Sequence, residues 1–243
     1  MTIVGVLGFL TIFVWRWAVR RPVPVGASAT GSEGTNLVEN EHLTYAAIGA
    51  SDVVGMGADD PSSQSWVNVL HSMMPEGTRL VRLGRNGITL REALAVEIPR
   101  AIAAKPDVIT MWNCVNDVGQ GVALNDYLRD LDKALGMLTR DERAQVFLLN
   151  LPDLSVLLSP QADTSQRQLV QGGALQWNAG IAATAARFGD RVKVVDVFPI
   201  SAEVLERPDY LSPDGFHPST DGYKRLAEVV WSAMQASSPD PAR

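Results

Sequence analysis

The sequence predicts an α/β domain built on a parallel sheet, and three observations carry that prediction. From residue 43 onward, short apolar runs alternate with stretches of helical periodicity, the order that βα units leave in a chain. Five such units precede the C-terminal helix, with no internal repeat. The first three apolar runs end abruptly in small or polar residues, as buried strands do at the carboxyl edge of an open sheet, where ligands bind.

Residues 45–48 have the aromatic, β-branched and small-residue character of a short buried strand. The run breaks at Gly49-Ala50-Ser51-Asp52, and Gly49 and Gly55 permit backbone conformations that bulkier residues resist. Ser51 is therefore a candidate nucleophile at a strand's carboxyl end, although a lone Gly-x-Ser more often marks a turn serine capping the next segment. Trp66, Val69, Leu70 and Met73 recur at helical spacing and predict an amphipathic helix over 64–74. Residues 79–83 read as the second strand, closing on Gly84-Arg85-Asn86-Gly87. Thr89 opens a helix that Pro99 breaks or restarts, and 108–112 form the third strand.

That strand runs into Asn113-Cys114-Val115-Asn116-Asp117, so polar amides again follow an apolar run. Leu124, Tyr127, Leu128, Leu131, Leu135 and Leu138 mark one face of a long helix, and 145–149 make the fourth strand. The loop beginning at Asn150 has an irregular tail over 154–166, suited to border a pocket. An alanine- and glycine-rich helix over 167–188, able to lie close against its neighbours, leads to a fifth strand over 192–198. Ser219 is the expected N-cap of the last helix, whose apolar face carries Tyr223, Leu226, Val230, Trp231 and Met234.

Composition bounds the function. A chain of 243 residues with 46% hydrophobic and 20% charged residues is long enough for one large core. Its formal net charge of −6, with no basic block except Arg16, Arg20 and Arg21, argues against a nucleic-acid partner. The single cysteine, Cys114, excludes an internal disulfide and a multi-cysteine zinc site. The N-terminal segment differs in kind: residues 1–21 combine an uncharged apolar run with a basic flank, and 22–42 form a flexible linker before the domain over 43–236 and a tail over 237–243. Extended to Val19 with Arg16 snorkelling, the apolar run reaches the lower limit of about 17 residues for a bilayer span. A signal peptide is the rival, but a basic n-region is lacking and Ala27-Ser28-Ala29 is a weak cleavage site, so a retained anchor is favoured. The positive-inside rule would place the arginines, and the domain, on the cytoplasmic side.

Only three histidines exist. His42 precedes the first strand, and His71 sits on an amphipathic helix with no acidic residue at a useful spacing. His217 differs, because Asp214 lies three residues before it in a turn set by Pro213, Gly215 and Pro218. A carboxylate there can hold one imidazole nitrogen while the other faces a nucleophile. A hydroxyl needs such a base, being hardly ionised at neutral pH. Alone, Asp-x-x-His is weak, since a surface turn before a helix gives the same quartet.

In order, Gly49-Ala50-Ser51-Asp52, Gly84, Asn116-Asp117 and Asp214-Gly215-Phe216-His217-Pro218 resemble the blocks of the SGNH or GDSL family of hydrolases, across nearly all of residues 43–235. The resemblance implies a flavodoxin-like three-layer α/β/α sandwich with a five-stranded parallel sheet of order 2-1-3-4-5. It also implies hydrolysis of a small-molecule, lipid or carbohydrate ester through an acyl-enzyme, with no cofactor and no metal. By the same token Ser51 matches the nucleophile, His217 the base and Asp214 the acid that orients it. The Ser51 and Gly84 backbone N–H groups and the Asn116 amide match the oxyanion-hole donors, which a tetrahedral intermediate needs preorganised. Anchored hydrolases usually work outside the cytoplasm, so an extracytoplasmic domain is expected, against the indication from the arginines.

Two departures stand out: Ala50 replaces the aspartate of Gly-Asp-Ser, and Cys114 replaces the glycine of Gly-x-Asn-Asp. Neither removes a catalytic group. Cys114 either narrows the pocket floor or packs, the usual role of a lone buried cysteine, and no histidine follows it at a spacing that would make it a nucleophile. Val53, Val54 and Met56 suit an apolar pocket wall or the core equally well. A phosphate-binding loop over 49–57 does not fit, since neither nucleotide fingerprint occurs there. The competing class is an anchored carbohydrate- or lipid-binding module, which loss of Ser51, Asp214 or His217 would have favoured; all three are present.

Overall fold

A computed structural model describes residues 43–237. The expected anchor and linker over 1–42, and all but the first residue of the expected tail, lie outside the described residues. Among the described residues no helix is long and apolar enough to cross a membrane.

Five parallel strands form one sheet: β1 (Thr44–Gly49), β2 (Arg79–Gly84), β3 (Val108–Trp112), β4 (Gln145–Leu149) and β5 (Val192–Val195), in the expected order β2-β1-β3-β4-β5. Every residue of β1 is buried, as a central parallel strand covered by helices on both faces must be. The chain leaves β1 toward β2 on one side and returns to β3 on the other, so the topological switch lies between the carboxyl ends of β1 and β3. Gly49 pairs with Gly84 and Trp112 there, which puts the segments after residues 49, 84 and 112 side by side.

The helices are α1 (Ser51–Val54), α2 (Trp66–Met73), α3 (Leu90–Ala95), α4 (Glu97–Ala103), α5 (Val115–Gly119), α6 (Leu124–Leu138), α7 (Thr164–Ala186), α8 (Glu203–Glu206) and α9 (Thr220–Ser237). Helices α2 and α9 pack together as one layer, while α6 packs on α3, α4 and α7 in the other. The alanine- and glycine-rich α7 lies close to α6, since a Cβ on Gly180 would stand 2.8 Å from Leu128 Cδ1.

Most elements start or end within two residues of the sequence reading, and three larger differences each have a local reason. The helix after Thr89 breaks at Val96, before Pro99. Pro99 has no N–H to bond the Ala95 carbonyl, but it is harmless in the first turn of α4, where N–H groups lack intrahelical partners. β5 ends at Val195 because Asn150 takes over the pairing: its Oδ1 accepts the Val197 N–H at 2.8 Å and its Nδ2 donates to Asp196 Oδ1 at 2.8 Å. Helix α7 starts at Thr164 because Asp163 and Gln166 form a capping box, a signal present in the sequence.

Asp117 and Glu97 are two of the carboxyls buried in this core. Burial pushes Asp117 up to about 7, although it accepts the Leu90 N–H at 2.9 Å. Burial pushes Glu97 up to about 8, and its Oε2 has no hydrogen-bond partner among the described residues. Each keeps its proton in the folded chain at pH values where the unfolded chain has lost it. Their contribution to stability is therefore fully present below about pH 4 and is lost as pH rises through about 7 and 8. The melting temperature should fall between about pH 5 and pH 8 and level off above that, and Glu97→Gln should flatten the fall; a melting temperature that rises over this range in wild type contradicts the assignment.

Candidate active site

The chain leaves β1 through Ala50, at φ −115° and ψ −134°, and enters the single helical turn α1 with Ser51 as its first residue. Gly55, at φ +90°, closes the turn, and its N–H and that of Met56 both bond the Ser51 carbonyl at 2.9 Å. Asp52 ties the turn from within: its Oδ1 accepts the Ala50 N–H at 3.0 Å and its Oδ2 accepts the Trp66 indole N–H at 3.1 Å. Gly84 lies directly beneath, where a Cβ would come within 2.7 Å of Val53 Cγ1 and 3.0 Å of the Ala50 carbonyl.

The second loop comes from the opposite end of the sequence. Ser212 N–H bonds the His217 carbonyl at 2.8 Å, and Leu211 bridges Pro218, so residues 211–218 form a closed loop. Asp214 is its hub. Its Oδ1 accepts the Ser212 hydroxyl at 2.8 Å, the Phe216 N–H at 2.8 Å and the His217 N–H at 2.9 Å, leaving Oδ2 to meet His217 Nδ1 at 2.7 Å. Partial burial alone would raise its pKa, but the bonds from His217, Phe216 and Ser212 outweigh burial and hold it below the usual carboxylate range. On the far side of the ring, His217 Nε2 stands 3.0 Å from Ser51 Oγ. Asp214, His217 and Ser51 thus form one continuous hydrogen-bonded chain.

Two contacts set the loops in register. Gly57, at φ +94°, passes so close to the histidine loop that a Cβ would meet the Pro218 carbonyl at 2.5 Å and His217 Cβ at 3.0 Å, so glycine is required for both reasons. Tyr223 on α9 donates to the Met56 carbonyl at 2.6 Å.

Asn116, on α5 after β3, lines the same cavity as Ser51 and His217. Its Nδ2 donates to the Ile88 carbonyl at 3.0 Å. Gly84 does not line the cavity; what its position shows is packing under Ala50 and Val53. Cys114 also lies off the cavity, fully buried, and burial pushes its thiol well above the usual range, so it packs and does not narrow the floor. Val53 is core rather than wall, and Val54 and Met56 do not border the cavity.

The cavity beside Ser51 has a volume of about 140 Å³. Its wall is apolar and comes largely from segments that carry no motif, including Leu154, Leu157, Val197, Ile200 and Val204, with Phe216 added from the histidine loop. The loop after β4 does border it, as expected, and is held by Asp153, which accepts the Ser155 N–H and the Gln171 side chain while its own N–H bonds Ser201. A bidentate pair from Arg225 to Glu203, at 2.8 Å on both arms, fixes α8 and with it Val204. Sequence reasoning missed the roles of Asp52, Ser212 and Asp153; of the three, Asp153 offers a turn signal, since its side chain accepts the N–H two residues on. Among the described residues, no group of three or more histidine, cysteine, aspartate or glutamate side chains converges to hold a metal ion.

Known proteins share this arrangement of chain. The spore germination lipase LipC of Bacillus licheniformis is 26% identical over 220 residues, covering 79% of this chain and 96% of its own. The crystal structure of TesA superimposes with a TM-score of 0.61 at 24% identity, covering 80% of this chain and 99% of its own. A family 3 carbohydrate esterase of Clostridium thermocellum gives 0.60 at 18% identity, covering 81% and 100%. Residues 47–225, which run from β1 through the histidine loop into α9, match the GDSL-like lipase/acylhydrolase family as a whole, so this chain belongs to that family and is an ester-hydrolysing enzyme.

Proposed function

We propose that the enzyme is a serine hydrolase in which Ser51 attacks the ester carbonyl, His217 takes its proton and Asp214 orients the ring. The observation that carries this reading is the unbroken chain from Asp214 Oδ2 through His217 to Ser51 Oγ, at 2.7 and 3.0 Å. As Oγ bonds the carbonyl carbon, its proton passes to Nε2, and the ionised Asp214 stabilises the imidazolium. The tetrahedral oxyanion is met by the Ser51 N–H and the Asn116 amide; the Gly84 N–H is retained as the third donor on the resemblance alone. Nε2 then protonates the departing alkoxide, leaving an acyl-enzyme, and a water activated by the same nitrogen releases the acid.

The apolar wall favours esters with an apolar acyl chain over acetylated carbohydrate. An apolar cavity of about 150 Å³ takes a benzene-sized group, so a cavity of about 140 Å³ suits a short chain rather than a bare acetyl. Each buried methylene contributes about 0.8 kcal/mol, so p-nitrophenyl butyrate should exceed the acetate about fifteenfold in kcat/KM. Ser51 should take a fluorophosphonate label that Ser51→Ala abolishes. Folded wild type that neither labels nor cleaves an activated ester is instead a binding module, and acetylated xylan cleaved faster than any simple ester would reverse the substrate assignment.

Asn116 separates the mechanism from mere possession of the three residues. Asn116→Ala should lower kcat by roughly 10²–10³-fold, about 2.7–4 kcal/mol, with little change in KM. Loss of the Ile88 bond should cost only about 1 kcal/mol of stability, or about 2–4 °C. A large drop in melting temperature with near-wild-type kcat makes Asn116 structural.

We also infer that the N-terminal segment tethers the enzyme to a membrane, on the strength of its apolar run and basic flank. The chain enters the fold at Thr44, at the amino end of β1 and opposite Ser51. Full-length protein should therefore sediment with membranes, while a chain starting at Asn36 stays in solution with unchanged kcat/KM; a mature N-terminus near residue 30 defeats the tether.

A further inference from the structure

Asp52 stands outside the chain of Asp214, His217 and Ser51, yet it is built into the same turn and lines the same cavity. Its two carboxylate oxygens are committed to two different elements. Oδ1 takes the N–H of Ala50, the residue before Ser51, and Oδ2 takes the indole N–H of Trp66, which is fully buried at the start of α2. The first bond closes a ring around Ser51, so the backbone of Ser51 is held from both sides. The second bond anchors that ring to a helix that cannot move without disturbing the core. Because position 50 is alanine, no carboxylate precedes Ser51, and the one that serves this turn comes from the residue after it.

We propose that Asp52 is the positioning residue of the nucleophile turn, fixing the Ser51 Oγ and N–H toward His217 and the cavity and setting a negative charge near the His217 ring. The proposal rests on the reading of Ser51 and His217 as nucleophile and base. The titratable groups facing Asp52 are His217 from the histidine loop, Tyr45 from β1, Tyr223 from α9, Glu97 from α4 and Cys114 at the start of α5. Burial pushes Tyr45, Tyr223 and Cys114 far up and holds them neutral, and it pushes Glu97 to about 8. Asp52 itself is raised to about 6 by burial, against the pull of Trp66 and the Ala50 N–H. At neutral pH it is therefore the anion of this group. Protonating it turns one of the two oxygens that meet Ala50 and Trp66 into a hydroxyl, weakening that bond, and removes the charge that steadies an imidazolium.

The test is the pH dependence of kcat/KM for p-nitrophenyl butyrate in the full chain, for wild type, Asp52→Asn and Trp66→Phe, with folding followed by melting curves. In wild type the acid limb should be steeper than one proton allows, because both Asp52 and His217 must be unprotonated. Asp52→Asn should lower kcat about 10²-fold, the scale of a misplaced reacting group, with little change in KM, and should leave a one-proton acid limb. Trp66→Phe removes a donor to the carboxylate, which raises its pKa, so the limb should move to higher pH while the plateau stays within a few-fold. Wild-type kcat in Asp52→Asn, or a limb unchanged in shape and position in both variants, overturns the proposal. Should Asp52→Asn fail to fold, an unmoved limb in Trp66→Phe overturns it alone. Wild type that neither labels at Ser51 nor cleaves the ester defeats the reading of Ser51 as nucleophile, and is distinguished by being seen before any variant is compared.

Discussion

Asp214 divides its carboxylate, and the site depends on that division. One oxygen takes three hydrogen bonds from Ser212, Phe216 and His217 and thereby makes residues 212–217 a rigid loop; the other faces the imidazole. A carboxylate spent wholly on the ring would leave the loop to its own conformational entropy, and one spent wholly on the loop would leave the ring free to turn. Charge-assisted bonds of this kind are short and roughly twice as strong as neutral ones. Because the loop is closed locally, its distance to Ser51 is then set by only a few further contacts, with Gly57 and Tyr223 among them.

The sheet supplies the other half of the constraint. β1 is buried on both faces, so its polar chemistry can emerge only where the strand ends. At that edge the exposed peptide groups have to find partners, and side chains provide them. Asn150 takes the Val197 N–H, Asp117 takes the Leu90 N–H, and Asp52 takes the Ala50 N–H. The carboxyl edge is thus a row of loops stopped by amides and carboxylates, which gives each loop a defined shape without extending the strand. The cavity wall is assembled from the gaps between them.

How much of this was legible in the sequence follows from whether a feature is local. β3 and β4 could be read to the residue, and α6 by its buried face, because each is an apolar pattern with a single period. Ser51 and Asn116 stand where apolar runs break and Asp214 and His217 in a proline- and glycine-set turn; the structure brings Ser51, Asn116 and His217 to one cavity, with Asp214 bonded to His217 behind it. Gly84 was legible as the end of β2, but its place beneath Ala50 depends on a register that no single strand encodes. The end of β5 was misplaced because an amide from a different strand competes for its backbone. The cavity wall was legible only in part: the loop bearing Leu154 reads as a pocket border, but Val197 reads as part of the fifth strand, and Ile200 and Val204 lie on short segments with no period to read.

Asp52, Asp117 and Glu97 together show a cost located at this edge. All three carboxyls are raised by burial, so each disfavours the folded chain once it ionises. A neutral amide at any of the three would remove that cost. Asp117 and Asp52 each accept a backbone N–H at the entrance to a helix, a bond that is stronger to a carboxylate than to an amide. Glu97 makes no such bond from Oε2, and at about 8 it is mostly protonated at neutral pH. The backbone that the two aspartates order is the segment that holds Ser51 and the start of the helix that meets the segment holding Asn116.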